Sequence, residues 1–267
     1  VLFHSFTSNP KLTEANECLK TFIDMECDFI VGAGGGSAID VAKYTAIKTH
    51  ASFMAIPTTA GTGSESTPFA VLYDNGNKQS VGDIYGLPEY VLLDGDNVLS
   101  LPEYQKQITM CDALSHAIES VWSMQANDES IRKSYTAIKL IFDHKIGYLN
   151  STPSDTQVML EASNLAGQAI AITHTTAAHA MAYKLTSKYS FPHGAAVMLT
   201  LPEVWEFLIE NMDRVIDDNM EILSKRMHGL TDAFSVNNII EAIHILKTLR
   251  CEFSIIPPKD ISEDDLS

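Results

Sequence analysis

Apolar residues at Leu12, Ala15, Leu19, Phe22 and Ile23 recur at helical spacing and predict a helix over 11–26. The short run Asp28 to Ala33 reads as a buried strand, and 37–48 returns to helical spacing. Three further runs predict strands: Ser52 to Ile56, stopped by Pro57; Phe69 to Tyr73, followed by the turn Asp74-Asn75-Gly76; and Tyr90 to Leu93. Strands alternating with helices predict a parallel or mixed sheet covered on both faces. Beyond Leu101-Pro102-Glu103 no strand pattern recurs, and helical periodicity runs over 104–124, 128–148, 156–187, 200–227 and 236–250. The expected architecture is an α/β domain over 1–103 and an all-α domain over 104–267, with the acidic tail Asp260 to Ser267 as a loop.

The punctuation between the first two strands carries candidate chemistry. Gly32-Ala33-Gly34-Gly35-Gly36-Ser37 joins strand to helix, and glycines there permit positive φ and close approach of a ligand. With Ser37 expected to cap the helix, its first N–H groups and positive dipole end suit an anion such as a dinucleotide pyrophosphate. A tight strand-to-helix turn without a ligand would use the same glycines. A second loop, Pro57 to Thr67, gathers hydroxyl side chains and two glycines at the end of the next strand, where ribose and phosphate oxygens are expected. Ordinary loops share that composition, but two such loops on consecutive strands reinforce each other.

Charge narrows the partners. The 267 residues carry 18 Lys plus Arg against 34 Asp plus Glu, a net charge of −16, which disfavours phosphate backbones and anionic membranes. No apolar run approaches the ~20 residues needed to span a bilayer, and the N-terminus lacks a signal-peptide pattern. Cys18, Cys27, Cys111 and Cys251 are scattered without a CxxC pair and read as buried thiols of a reducing compartment. A cytoplasmic protein is expected, binding neither nucleic acid nor membrane, and forming a homo-oligomer, a dimer.

The second half holds the ligand-type side chains. In Met110 to Trp122 the apolar residues share one helix face, while Asp112 and His116, at i and i+4, are neighbours on the other. A solvent-facing Asp–His pair has the same spacing. His179 lies in a small-residue helical segment, Ala169 to Ala182, and His193 in the turn Phe191-Pro192-His193-Gly194. One carboxylate and three imidazoles suit Fe2+ or Zn2+ better than Ca2+ or Mg2+, which prefer oxygen shells. His174, five residues before His179, faces elsewhere and reads as structural; His4, His50, His144, His228 and His244 lack comparable neighbours. Glu119 either orients a ligand or is solvated, with solvation favoured.

These motifs in order, Gly34 to Ser37 with Asp40 and Lys43, Pro57 to Glu65, Asp112 to Glu119, and Pro192-His193-Gly194, resemble the iron-containing (group III) alcohol dehydrogenase family over essentially the whole chain. The resemblance implies a Rossmann-like dinucleotide-binding domain and a helical metal domain of the dehydroquinate synthase-like fold. It implies Asp112, His116, His179 and His193 as ligands to Fe2+ or Zn2+, and an NAD(H) or NADP(H) site at Gly35, Gly36, Ser37, Asp40, Thr58, Thr59, Thr62, Thr67 and Lys78. The activity implied is reduction of an aldehyde to a primary alcohol. Within the family, Phe3 to Pro10 and His179 to Thr186 are most similar to phosphonoacetaldehyde reductases; a broad primary-alcohol dehydrogenase and a non-catalytic fragment are the alternatives. A histidine common in the family is Tyr183 here, and the next residue, commonly proline, is Lys184; both are substrate-site candidates, Lys184 for an anionic group. Relatives are expected to carry some tens of residues before the position of Val1, including the first βα unit, and a helical domain extending past Ser267.

Overall fold

The computed structural model describes residues 1–214 and 219–259, so the tail Asp260 to Ser267 lies outside the described residues. The α/β part runs α1 (Leu12–Asp24), β1 (Phe29–Gly34), α2 (Gly36–Thr49), β2 (Ser52–Pro57), β3 (Phe69–Asp74), β4 (Asn77–Gly82) and β5 (Tyr90–Val91). The helical part follows with α3 (Asp96–Leu99), α4 (Glu103–Trp122), α5 (Asp128–Leu149), α6 (Pro153–Thr173), α7 (Ala177–Tyr189), α8 (His193–Glu210), α9 (Asn219–Phe234) and α10 (Ile239–Glu252).

The strands form two sheets. β1, β2 and β5 are parallel in the order β1-β2-β5, with Ile30 beside Phe53 and Val31 beside Met54. β3 and β4 pair as a separate antiparallel hairpin. Its two-residue turn, Asn75-Gly76, has φ of 49° and 81°, the left-handed pair that matches strand twist. The polar β4 has no apolar alternation and is invisible to the hydrophobic pattern. The sheet is covered on one face only: Ile30, Phe53 and Ala55 pack against Ile39, Ala42 and Ala46 of α2, whereas Phe29, Val31 and Tyr90 remain exposed. Ser52, Met54 and Ile56 of β2, on that same side, are half-buried, where two covered faces are expected. α1 instead packs on α2 and β3, through Ala15, Tyr44 and Leu72.

α4 runs through the middle of the helical part, packed by α5, α6, α8 and α9. It is buried on every side from Ile108 to Val121, so its polar face is interior rather than solvated. Trp205 of α8 is fully buried with its ring edge-on to Trp122 and Phe234, at 5.7 and 5.8 Å between centroids. Local signals set several helix starts: Asn127 and Ser130 form a reciprocal cap for α5, and Asn238 accepts from the Glu241 N–H at 3.0 Å. Two predicted helices are broken. The segment 156–187 divides into α6 and α7 at His174, and 200–227 divides into α8, which begins earlier at His193, and α9. No helix among the described residues is long and apolar enough to cross a membrane. The cysteines have no disulfide; only Cys111 is buried, while Cys18 and Cys27 are half-buried and Cys251 is exposed.

Candidate metal and nucleotide site

A cavity of 1120 Å³ opens between the glycine turn and the β3–β4 hairpin on one side and α4, α7 and α8 on the other. It brings the two predicted chemistries together. Gly35, Gly36, Ser37, Asp40, Thr59, Thr62, Thr67 and Lys78 line it, as do Asp112, His116, His179, His193 and Tyr183. Thr58 is not part of the lining; its N–H donates to the Gly34 carbonyl at 2.9 Å. Lys184 is exposed and also lies outside the lining.

In the glycine turn only Gly34 has positive φ, 151°, and a Cβ there would meet that of Ala38 at 2.6 Å. A Cβ on Gly36 would meet the Thr62 side chain at 2.9 Å, so the two loops touch only because the turn lacks side chains. Gly35, not Ser37, occupies the N-cap of α2, two residues earlier than expected, and the Ser37 hydroxyl donates to the Ser8 carbonyl. Ser8, Asn9 and Pro10 thereby enter the cavity wall, a role that no periodicity signals. Asp40 and Thr67 line the cavity but are held from behind. Asp40 accepts from Ser64 Oγ at 2.6 Å and the Val71 N–H at 3.1 Å, and Thr67 Oγ1 accepts from the buried Lys43 ammonium at 2.7 Å. Burial pushes Lys43 down to about 8 despite the opposing carboxylates of Asp40 and Glu65.

Asp112 and His116 come from α4, His179 from the first turn of α7 and His193 from the first residue of α8. An oxygen of Asp112 and ring nitrogens of His116 and His179 lie within 4.8 Å of one another. Asp112 Oδ1 has the Nε2 atoms of His116, His179 and His193 at 3.8, 3.6 and 3.9 Å. An ion with bonds of about 2.1 Å in a tetrahedron separates its ligand atoms by about 3.4 Å. Asp112 Oδ1 and His179 Nε2, which face one another, are buried without hydrogen-bond partners, an expensive condition that a shared cation would relieve; His116 Nδ1 is also unpartnered, but it is His116 Nε2 that faces Asp112. The donor set and these orphaned atoms fit a divalent transition ion.

The imidazoles are oriented by groups behind them. His179 Nδ1–H donates to Glu119 Oε2, leaving Nε2 facing the cluster. Glu119 is fully buried, and its Oε1 accepts from the Thr176 N–H at 3.0 Å, the Thr176 hydroxyl and the Ala178 N–H at 3.1 Å. One carboxylate thus satisfies the opening N–H groups of α7 and holds His179, which accounts for the helix break before Ala177. The expectation of a solvated Glu119 is overturned, because tertiary packing buries its helix on every side. His193 Nδ1 lies 3.3 Å from Thr186 Oγ1, whose own proton goes to the Ala182 carbonyl, so His193 donates and its Nε2 is free. Burial is the largest influence on every member. It takes His116 and His193 down to about 4, as neutral metal-ligating imidazoles. At His179 the Glu119 and Asp112 carboxylates outweigh burial and raise it to about 9; at Asp112 the three imidazoles outweigh burial and bring it below the usual carboxylate range.

Glu119→Gln is expected to lower divalent-metal affinity by about 10–100-fold with the fold intact, because one amide oxygen cannot serve both His179 and the α7 N–H groups. Isothermal titration with Zn2+ checks this; unchanged affinity would show that Glu119 does not position His179.

Tyr183 lies beside the cluster, its ring stacked on His193 at 6.0 Å, and the Lys78 ammonium sits 3.4 Å from its centroid. Burial raises the Tyr183 phenol, and Lys78 with the hydrogen bonds from Lys78 and Thr175 more than reverses that. His174 is not the buried structural histidine expected: it is exposed, lines the cavity and packs its ring on Phe69 at 5.9 Å. His144, expected to be without a neighbour, has Nδ1 2.6 Å from Asp155 Oδ1, away from the cavity.

Residues 1–95 match the family described as iron-containing alcohol dehydrogenase, and residues 106–253 the Fe-containing alcohol dehydrogenase family, C-terminal. The chain belongs to the iron-containing alcohol dehydrogenase family, with its N-terminal α/β part and helical C-terminal part. It is 32% identical to the 1,3-propanediol dehydrogenase of Citrobacter freundii, the match covering 96% of this chain and 71% of that protein. It is 29% identical to aldehyde-alcohol dehydrogenase 2 of Entamoeba histolytica over 76% of this chain, and the match spans only 27% of that protein's length. Among solved structures, the sulfoacetaldehyde reductase of Bifidobacterium kashiwanohense in complex with NAD+ superposes with a TM-score of 0.86 at 26% identity, covering 98% of this chain and 74% of that one. An iron-containing alcohol dehydrogenase of Thermotoga maritima gives 0.81 at 28% identity, covering 99% and 73%.

Proposed function

We propose that the chain is a metal-dependent, NAD(P)H-linked reductase of an aldehyde to its primary alcohol. The observation that carries this is Asp112 Oδ1 facing three imidazole Nε2 atoms at 3.6–3.9 Å in the cavity that the glycine turn also lines. Asp112, His116, His179 and His193 would hold Fe2+ or Zn2+, and Gly35, Gly36, Ser37, Asp40, Thr59, Thr62, Thr67 and Lys78 the nucleotide, with Thr58 behind them. The chemistry supplied by the bound groups is Lewis-acid polarisation of the carbonyl and hydride transfer from a reduced nicotinamide.

The chain's own residues prepare that reaction. Glu119 and Thr186 hold the protons of His179 and His193 on Nδ1, so both Nε2 lone pairs converge. The opening N–H groups of α2 are presented to a pyrophosphate without side chains in the way. Tyr183 and Lys78 form the wall next to His193. We place the boundary between nucleotide and metal domains at about residue 103, and read the enzyme as cytoplasmic and dimeric, a setting with which the free cysteines agree.

For the substrate we infer phosphonoacetaldehyde, reduced to 2-hydroxyethylphosphonate; the resemblance of the sulfoacetaldehyde reductase supports an aldehyde with an anionic tail. With Fe2+ or Zn2+ loaded, NAD(P)H oxidation followed at its near-ultraviolet absorbance is expected with phosphonoacetaldehyde and to be at least about tenfold slower per unit concentration with butanal. A preference for butanal would favour the broad primary-alcohol reading, in line with the 1,3-propanediol dehydrogenase relative. Binding of neither metal nor nucleotide would leave a non-catalytic fragment.

A further inference from the structure

His174 is held in an unusual backbone. Its φ of 56° and ψ of 175° belong to a region that is essentially restricted to glycine, because a β-carbon there crowds the backbone. Such strain persists where the surroundings over-determine it or where function keeps the side chain. Local structure does not need an imidazole at this point. The α6 helix ends through the His174 N–H donating to the Ile170 carbonyl at 2.9 Å, a bond that any non-proline residue makes. Glycine would close the helix with less strain.

The side chain itself faces the cavity. It is exposed there, and its ring rests on Phe69 at 5.9 Å and an interplanar angle of 38°. One residue on, Thr175 lines the cavity with Tyr183, and Tyr183 carries the Lys78 ammonium on its ring. Lys78 acts on the buried Asp40 carboxylate electrostatically, without an ion pair to it among the described residues. The acidic residues that line the cavity are engaged: Asp40 with Ser64 and Val71, Asp83 with the Tyr85 N–H at 3.2 Å, and Asp112 in the metal cluster. An imidazole resting on the apolar Phe69 ring, in a cavity wall that also holds the Lys78 ammonium, suits a tetrahedral oxyanion.

We propose that His174 is a specificity-determining residue that receives the oxyanion tail, phosphonate or sulfonate, of the aldehyde whose carbonyl end points to the Asp112–His193 cluster, while Lys78 stays with the nucleotide in the same cavity. This rests on the aldehyde-reductase reading above, and it assigns to His174 the anion recognition for which Lys184 stood as candidate.

His174→Gly tests it, since this change removes the imidazole and relieves the backbone, so loss of folding does not confound the result. The melting temperature is expected to rise by about 2–4 °C. KM for phosphonoacetaldehyde and for sulfoacetaldehyde is expected to rise by about 10–100-fold, the loss of one hydrogen bond to a charged group, with butanal and NAD(P)H affinity unchanged within about twofold. Isothermal titration of the Zn2+-loaded protein with 2-hydroxyethylphosphonate is expected to show the same loss. An equal change for butanal, a parallel loss of nucleotide affinity, or unchanged discrimination overturns the proposal; so does a lower melting temperature, which would give His174 a structural duty. If wild type turns over no aldehyde yet binds 2-hydroxyethylphosphonate in a His174-dependent way, the oxyanion site stands and the reductase reading falls.

Discussion

Asp112→Ala abolishes the metal-dependent stabilisation of this protein. In the wild type, a divalent ion at one hundred times its dissociation constant is expected to add about 2.7 kcal/mol, or roughly 5–10 °C in melting temperature. Asp112 supplies the carboxylate that all three Nε2 atoms face, at 3.6–3.9 Å, and the position lies on a helix buried on every side. Alanine removes the carboxylate ligand and leaves the three imidazoles without it, His179 still held by Glu119. Changes to groups behind a ligand already lower metal affinity by about 10–100-fold, so loss of the ligand itself costs at least as much. Differential scanning fluorimetry with and without Zn2+ or Fe2+ reads this directly. A variant that keeps the full metal-induced shift would mean that the ion, if bound, sits elsewhere, and the reductase reading would lose its centre.

Gly194→Ala unfastens the same site from the side of α8. A Cβ there would lie 2.0 Å from the Ile108 carbonyl oxygen and 3.0 Å from the Asp112 Cβ. The first obstacle is backbone of the central helix α4 and cannot turn aside as a flexible side chain could. The start of α8 must therefore lift, and His193, its first residue, moves with it away from Asp112 and Thr186. The expected destabilisation is about 1–3 kcal/mol or more, with weaker metal binding in addition. Urea unfolding gives the first quantity and Zn2+ titration the second. Wild-type values for both would show that α8 does not pack on α4 as closely as described.

Both expectations depend on a convergence that the chain order hides. What could be read from the sequence was local. Helical periodicity located most helices within a few residues, because burial of one face repeats every 3.6 positions. The glycine run marked the β1–α2 turn because backbone at Gly34 and close approach at Gly36 exclude side chains. Asp112 and His116 could be paired because i and i+4 always share a helix face. His179 and His193 could be nominated by residue type, and the resemblance joined the four.

Tertiary packing decided the rest. Whether the Asp112 side of α4 met water or protein depended on α7 and α8, more than sixty residues away, and the same stripe pattern serves either outcome. Glu119 became a buried clamp for His179 because α7 begins against it, and the continuous pattern of 156–187 broke there for the same reason. His174 was thereby turned into the cavity at a strained backbone, while Lys184, beside the better-placed Tyr183, pointed outward. β4 and the Ser8–Pro10 wall carry no apolar repeat, so only their hydrogen bonds to neighbouring strands and loops reveal them. Local spacing is a property of one element's own geometry; convergence on a single point is a property of how several elements pack, and short-range pattern does not encode it.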